Sequence, residues 1–339
     1  MGLRTISIFF LGIGFFFLPS LSQAQVFVDQ SNNPTDLSQT ISFTIDPTTP
    51  APNTTTNISI ESSSIDLDSS TISWSVNGKT TKNGRGLKNI DFVTGQNGSL
   101  TTITVYINSV IGQFSKTITI RPGTVDLLWQ GGGYVPPFYK GRTLWAKQGM
   151  ITLVAIPNII NSSGNKINSS NLIYRWTQDG TILGTASGAG KSSLTFYDSV
   201  LSLPTQIQVE VLTDQDTVAA STAINLAPIQ PNALVYEDSP LYGTLFNSEV
   251  KNKFNLKEKE VSFVAFPLFF SVTNKDSSRI KYTWFNNGTA SGQNSKITYR
   301  ITDQTVGSSN ISLRTENTIK FNQTTSKDFM VNFNNQNNL

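Results

Sequence analysis

Large apolar side chains in this chain fall mostly on alternate positions. Ile72, Trp74 and Val76 alternate with polar neighbours, as do Leu172, Tyr174 and Trp176, and Ile280, Tyr282 and Trp284. Further along come Ile103, Val105 and Ile107; Ile207, Val209 and Val211; and Ile311 with Leu313. Side chains two apart on an extended backbone point to one face, so each run predicts a strand with one buried side. Sustained helical spacing is absent, and Gly and Pro punctuate the chain often. The pattern predicts an all-β protein.

The first set of runs shares more than its alternation. Each leads into Trp, two free positions, then Asn or Asp followed by Gly: Trp74 with Asn77-Gly78, Trp176 with Asp179-Gly180, and Trp284 with Asn287-Gly288. The tryptophans lie 102 and 108 residues apart. A polar turn precedes each strand: Asp68-Ser69-Ser70, Asn168-Ser169-Ser170 and Asp276-Ser277-Ser278. The Asn-Gly or Asp-Gly step supplies the positive φ angles of a tight hairpin. A period near one hundred residues is too long for a solenoid repeat and fits a β-sandwich domain. Three tandem sandwiches are therefore expected, over 38–121, 124–228 and 232–334. Trp74, Trp176 and Trp284 are their expected structural core. Copies two and three are close relatives, sharing Val154 to Pro157 with Val264 to Pro267, and Thr185 to Gly188 with Thr289 to Gly292. Arg121-Pro122-Gly123 and the stretch from Ala227 to Pro231 mark the junctions, which are short enough to predict a fairly rigid rod.

Residues 1–24 read as a signal peptide: Arg4 at the positive end, an apolar phenylalanine-rich run from Ile6 to Leu18, and Ser22-Gln23-Ala24 as the cleavage site. The alternative is an uncleaved anchor, although the run is shorter than the roughly 20 residues of a membrane span. Residues 25–37 read as a flexible lead-in and 335–339 as a polar tail. The ten-residue apolar stretch from Phe263 to Val272 suits a buried strand. The chain is thus expected to be exported, to the cell envelope or beyond.

Composition narrows the chemistry. The net charge of +3, with no basic stripe, argues against a nucleic-acid partner. The chain has neither Cys nor His. That excludes Ser-His-Asp and Cys-His catalysis and zinc sites of the Cys/His kind. No catalytic residue, cofactor or metal ligand is expected. Without disulfides, an exported chain must be held by hydrophobic cores.

One segment stands apart. Trp129 to Trp145 reads W-Q-G-G-G-Y-V-P-P-F-Y-K-G-R-T-L-W. A reduced version runs from Tyr236 to Phe246 and contains Tyr242. Either the segment packs into a junction, or it exposes an aromatic surface for a glycan, a protein or a second copy of the chain. On the second reading the contact residues are Trp129, Tyr134, Phe138, Tyr139, Trp145 and Tyr242.

Other motifs weigh less. Gly184 to Ser193 resembles a phosphate loop, but Thr185 occupies the position of its first glycine. The pairs Asp66 with Asp68 and Asp214 with Asp216 read as turn formers; paired carboxylates serving glycoside hydrolysis or calcium are the alternative. Asn-x-Ser/Thr sequons occur at Asn53, Asn57, Asn97, Asn161, Asn168, Asn287, Asn310 and Asn322, as expected by chance in a chain this rich in those residues.

The stretches Tyr174 to Gly180 and Tyr282 to Gly288 resemble the central strand and turn of PKD-type immunoglobulin-like domains. The middle Gly and one acidic residue of that pattern are missing, so calcium properties tied to them do not transfer. The stretch Leu127 to Gly141 resembles an L-L-W…Y-x-P-P-F-Y-x-G signature of exported surface proteins from candidate-phyla bacteria, where relatives look associated with pilus-like appendages. The resemblance implies three immunoglobulin-like (PKD-like) sandwiches and a non-enzymatic surface spacer or adhesion module. The competing expectation is a carboxylate-based polysaccharide-active enzyme, or its accessory binding module.

Overall fold

The structure is a computed structural model that describes residues 37–213, 217–301 and 306–333. The expected signal segment 1–24, residues 25–36, the pair Asp214 and Asp216, and the tail 335–339 lie outside the described residues.

The first seven strands are β1 (Ile41–Asp46), β2 (Thr55–Ser62), β3 (Thr71–Val76), β4 (Lys79–Arg85), β5 (Asn89–Val93), β6 (Thr101–Ser109) and β7 (Gly112–Ile120). They form two antiparallel sheets, ordered β1-β2-β5 and β4-β3-β6-β7. Ile58, Ile60, Ile72, Trp74, Ile103 and Val105 fill the space between them.

Next come β8 (Thr124–Gly131), β9 (Met150–Asn158), β10 (Ile173–Gln178), β11 (Thr181–Ile182), β12 (Gly188–Ala189), β13 (Ser193–Tyr197), β14 (Thr205–Leu212) and β15 (Val218–Leu226). Their sheets run β13-β9-β8 and β11-β10-β14-β15, with β12 also on β10. The last nine are β16 (Asn232–Ser239), β17 (Gly243–Glu249), β18 (Lys253–Leu256), β19 (Glu260–Leu268), β20 (Ile280–Asn286), β21 (Thr289–Gly292), β22 (Lys296–Arg300), β23 (Gly307–Asn317) and β24 (Thr324–Phe333). Here the orders are β17-β16-β19-β22 and β18-β24-β23-β20-β21, β18 running parallel to β24.

One strand order thus occurs three times. The first, second and fifth core strands share a sheet, and the third, sixth and seventh share the other with an edge hairpin. This is an immunoglobulin-like sandwich built in triplicate.

The repeated motif does the same work in each copy. Asn77 and Gly78 have φ of 49° and 79°, Asp179 and Gly180 of 48° and 79°, and Asn287 and Gly288 of 47° and 82°. Two consecutive positive φ angles match the twist of the flanking strands, and Asn, Asp and Gly tolerate them best. The first turn residue also ties the hairpin to the neighbouring strand. Asn77 Oδ1 accepts from Thr102 N (2.9 Å), Asp179 Oδ1 from Gln206 N (2.8 Å) and Asn287 Oδ1 from Asn310 N (2.8 Å). Each tryptophan is fully buried, and its indole N–H donates to a main-chain carbonyl: Trp74 to Leu87 (2.8 Å), Trp176 to Lys191 (2.9 Å) and Trp284 to Asn294 (2.9 Å). A buried indole donor left unpaired would cost about 1–3 kcal/mol, so the carbonyl fixes where the ring sits. Copies two and three add a tyrosine two residues earlier. Tyr174 donates to Ser169 O (3.1 Å) and Tyr282 to Lys275 O (2.7 Å), pinning the polar turn to the core.

One local expectation changes, and one strand lies outside the alternating pattern. The apolar run from Phe263 to Val272 is not one strand: β19 ends at Leu268, and Phe269 turns left-handed at φ 67°. Strand β4 has no apolar alternation, being an exposed edge whose sequence is KTTKNGR.

Candidate interaction surfaces around the second junction

The segment between β8 and β9 carries the glycine run and most of the aromatic residues singled out above. It leaves the second sandwich and enters the third. The amide of Tyr134 donates to Phe270 O (2.7 Å), and the amide of Phe269 donates back to Tyr134 O (2.7 Å). This reciprocal pair of main-chain hydrogen bonds ties the loop of the second sandwich to the third. Gly133 permits it: a Cβ there would lie 2.3 Å from the carbonyl oxygen of Phe269. Gly131 is held as tightly, its missing Cβ falling 2.2 Å from Leu144 O.

The aromatic side chains have different fates. Trp145 is buried in the second core, donates to Gly149 O (3.2 Å) and meets Phe196 edge-on at 5.7 Å. It offers nothing to a partner, and the expectation that it belongs to a surface patch is corrected. Trp129 is half-buried against the same core, with the Arg142 guanidinium 3.7 Å from its ring centroid. Tyr134 lies half-buried among residues of the third core, where burial and the nearby Asp276 carboxylate push its hydroxyl pKa up. Tyr139 is half-buried and meets Phe269 edge-on at 5.7 Å. Only Phe138 and Tyr242 stand clear of the fold, at 82% and 77% exposure. Phe138 has φ of 64°, a conformation that costs a bulky residue of order 1–3 kcal/mol. Its ring touches Phe246 (5.5 Å), which packs on Tyr236 and Phe266. Tyr242 and the equally exposed Leu241 form the tip of the β16–β17 hairpin.

A polar network closes the other side of the junction. Gln323 is fully buried. Its Nε2 donates to Lys147 O and Ser271 Oγ, both at 2.7 Å, while its Oε1 accepts from Ser271 N (2.9 Å) and Asn317 Nδ2 (3.0 Å). Gln148 Oε1 accepts from Asn322 N (2.9 Å), and Asn322 Nδ2 donates to Val200 O (2.5 Å). Ala146 and Ile229 form a parallel bridge beneath. The loops brought together here also expose Tyr197, Leu201, Leu203, Ile319 and Phe321. The sequence pattern does not flag these exposed side chains: Tyr197 closes β13, Leu201 and Leu203 follow it, and Ile319 and Phe321 lie far along the chain.

The first junction is slighter. Arg121 Nη1 donates to Gly98 O (2.6 Å) and Asn161 O (3.2 Å), and Gly98 N donates to Pro122 O (2.9 Å).

Several carboxylates serve turns and ion pairs. Asp66 accepts from Ser69 Oγ (2.6 Å) and from the amides of Asp68 and Ser69, contacts that lower its pKa. Asp276 is held down by Lys275 and Ser295, and Asp238 by Lys296 and Thr244. The lysine-containing turn at Gly188 to Lys191 belongs to the β12 region, where Lys191 Nζ caps Thr185 O (2.7 Å). Among the described residues no group of three or more acidic side chains gathers as a metal cluster.

No protein-family model matches the chain. No curated protein matches it either. Among solved structures, the three N-terminal domains of the Hoc outer capsid protein of bacteriophage RB49 align over 87% of this chain and 98% of theirs, at 9% identity and a TM-score of 0.25. The central fibronectin-III array of RIM-binding protein aligns over 81% and 90%, at 11% identity and 0.29. The FN1–FN3 domains of chicken CNTN1 align over 85% and 97%, at 11% identity and 0.21. The fold assignment rests on the strand order itself: this chain is a tandem array of immunoglobulin-like sandwiches.

Proposed function

We propose that the chain is a non-enzymatic protein of the cell surface or the secreted space, a spacer that holds binding surfaces at a distance and engages a partner by contact. The observation behind this reading is the second junction. Interfaces between domains of one chain are normally polar and permit motion. Here an aromatic side chain of one sandwich completes the core of the next, two main-chain hydrogen bonds cross between them, and a fully buried glutamine satisfies donors and acceptors around the seam. Such construction suits a part that must transmit position. Among the described residues no helix is long and apolar enough to cross a membrane. An uncleaved N-terminal segment is one membrane attachment for this reading, and an envelope appendage is one setting for it.

Phe138, Leu241 and Tyr242 are the contact residues favoured at the junction, since a left-handed, solvent-exposed phenylalanine contributes little to its own fold. The partner is a surface protein, a glycan or another copy of the chain. The test has two arms. Small-angle scattering of the full chain should give one extended shape for the second and third sandwiches, and a freely hinged pair would overturn the spacer reading. Incubation with polysaccharides should release no reducing ends, and catalytic release would favour the carboxylate enzyme. The accessory-module reading draws on a separate observation in the first sandwich.

A further inference from the structure

The outer face of the β4-β3-β6-β7 sheet holds a depression of about 480 Å³. Asn83, Ser73, Tyr106 and Ser115 cross it in one register row, and Asn108 and Gln113 lie in the next. Tyr106 is 53% exposed although it sits mid-strand in the centre of a sheet. No charged side chain lines the depression. Among the described residues, the side chains of Asn83, Tyr106, Asn108 and Gln113 make no hydrogen bond to another protein group, so their donors and acceptors are available.

The other two sandwiches supply the comparison. The residue before the core tryptophan faces outward in each copy, and the facing strand presents its partner. In the second sandwich these are Arg175 and Glu210, joined by an ion pair at 2.9 Å. In the third they are Thr283 and Arg314, with Arg314 paired to Glu316 at 2.8 Å. In the first they are Ser73 and Tyr106. Two copies place an ion pair on this face. The first carries an aromatic ring among unengaged amides and hydroxyls.

We propose that this face binds a neutral oligosaccharide of pyranose units. A pyranose offers an apolar C–H face that stacks on a tyrosine ring and a rim of hydroxyls that both donate and accept. Amides match that rim, because each presents a carbonyl acceptor and two N–H donors. The volume lies within the usual range for small-ligand sites, about 300–1,000 Å³. A protein partner would want several large apolar anchors around a desolvated centre, and Tyr106 is the only exposed one in the depression. The lining holds no cation to pair with an acidic sugar, and Arg85 stands only at the margin, opposite Thr71. The site rests on the contact reading of the chain and gives that reading a ligand class.

The test is native affinity electrophoresis of the full chain through gels containing a soluble β-glucan, a galactomannan or a xylan, with polygalacturonate as the acidic counterpart. At least one neutral polymer should retard the chain. Tyr106→Ala should weaken that retardation about tenfold, the worth of one aromatic stacking contact. Tyr106→Phe, which keeps the ring, should stay within about fivefold of the parent. Because Tyr106 points away from the core, circular dichroism and melting of both variants should match the parent. No retardation by any neutral polymer, retardation by polygalacturonate alone, or equal retardation of Tyr106→Ala would overturn the proposal. So would a dimer in sedimentation that Tyr106→Ala dissolves, which would give the face to a second copy. If neutral polymers retard the chain but Phe138→Ala rather than Tyr106→Ala abolishes the effect, this site falls and the contact reading stands.

Discussion

Replacing Tyr134 by Ala tests whether the aromatic segment is a structural plug. An aromatic side chain buries about 150–250 Å² when fully enclosed. Tyr134 is half-buried, so roughly 100 Å² returns to water, worth about 2.5 kcal/mol at 25 cal/mol per Å². The loss falls on the third sandwich, whose core the ring completes, although Tyr134 lies in the loop after β8. For a unit of about one hundred residues this lowers the melting temperature by roughly 10 °C or more. Phe138, four residues on and 82% exposed, provides the control. Its truncation should cost under about 1 kcal/mol, since little of its surface is covered. Calorimetry of the full chain reads both shifts, and hydrogen exchange along β19 and β24 assigns them to the third sandwich. Equal, small shifts for Tyr134→Ala and Phe138→Ala would refute the plug. So would a destabilisation confined to β9 and β14.

Gln323→Ala strips partners from Lys147 O, Ser271 N and Asn317 Nδ2 at once, and should cost about 2–4 kcal/mol in chemical denaturation of the third sandwich; a change below 1 would mean water replaces the amide. Gly98→Ala puts a Cβ 2.4 Å from that of Ile160 at a φ of 77°, so the amide at position 98 should exchange at least about tenfold faster as the first junction loosens. Asp179 carries a pH prediction: the Gln206 amide and the Thr205 hydroxyl lower its folded pKa below the ordinary value of 3.8. Its stabilisation is therefore present above pH 3.8 and is lost as pH falls through the folded value. Asp179→Asn keeps the Oδ1 acceptor, as Asn77 and Asn287 do in the sister copies, and should flatten the acid limb of the second sandwich in urea titrations between pH 5 and 2. An unchanged slope would exclude Asp179 as its source.

The frame of the fold was legible because it is local. Alternation placed Trp74, Trp176 and Trp284 on strands, and a following Asn-Gly or Asp-Gly step has few backbone solutions. What escaped the sequence depends on residues far apart along the chain. Trp145 and Tyr134 sit in one glycine- and proline-rich loop with the same composition, yet one ring fills the second core and the other reaches the third. Nothing within the loop distinguishes them; the difference is the carbonyl of Gly149 beneath one and Phe269 and Phe270 against the other. The parallel drawn between Trp129–Trp145 and Tyr236–Phe246 holds in position, each running on from the first strand of its sandwich, but the two close differently. The later segment closes as a tight β16–β17 hairpin, whose Phe246 receives the Phe138 ring instead of reaching out itself. Tyr106 passed unremarked because a tyrosine at an alternating position reads as ordinary strand. Only its register partner, compared across the three copies, makes it unusual.

That comparison separates what the repeat must keep from what it can vary. The tryptophan, its carbonyl acceptor and the turn side chain bonded to the next strand recur in every copy: the first two leave no buried indole donor unpaired, and the third ties the exposed hairpin to its neighbour. The outward row beside the tryptophan is under no such constraint: it holds Arg175 with Glu210, Thr283 with Arg314, and Ser73 with Tyr106. Exposed ion pairs add little stability, a median of about 0–1 kcal/mol, so folding does not select among these solutions. A row that folding leaves free is where binding can be installed without loss of the scaffold. In the first sandwich that row is uncharged, aromatic and unengaged, while the second and third are locked to each other at their junction. The chain divides accordingly, with the denser contacts at the second junction and an open polar face on the first sandwich, joined by the slighter seam around Gly98 and Arg121.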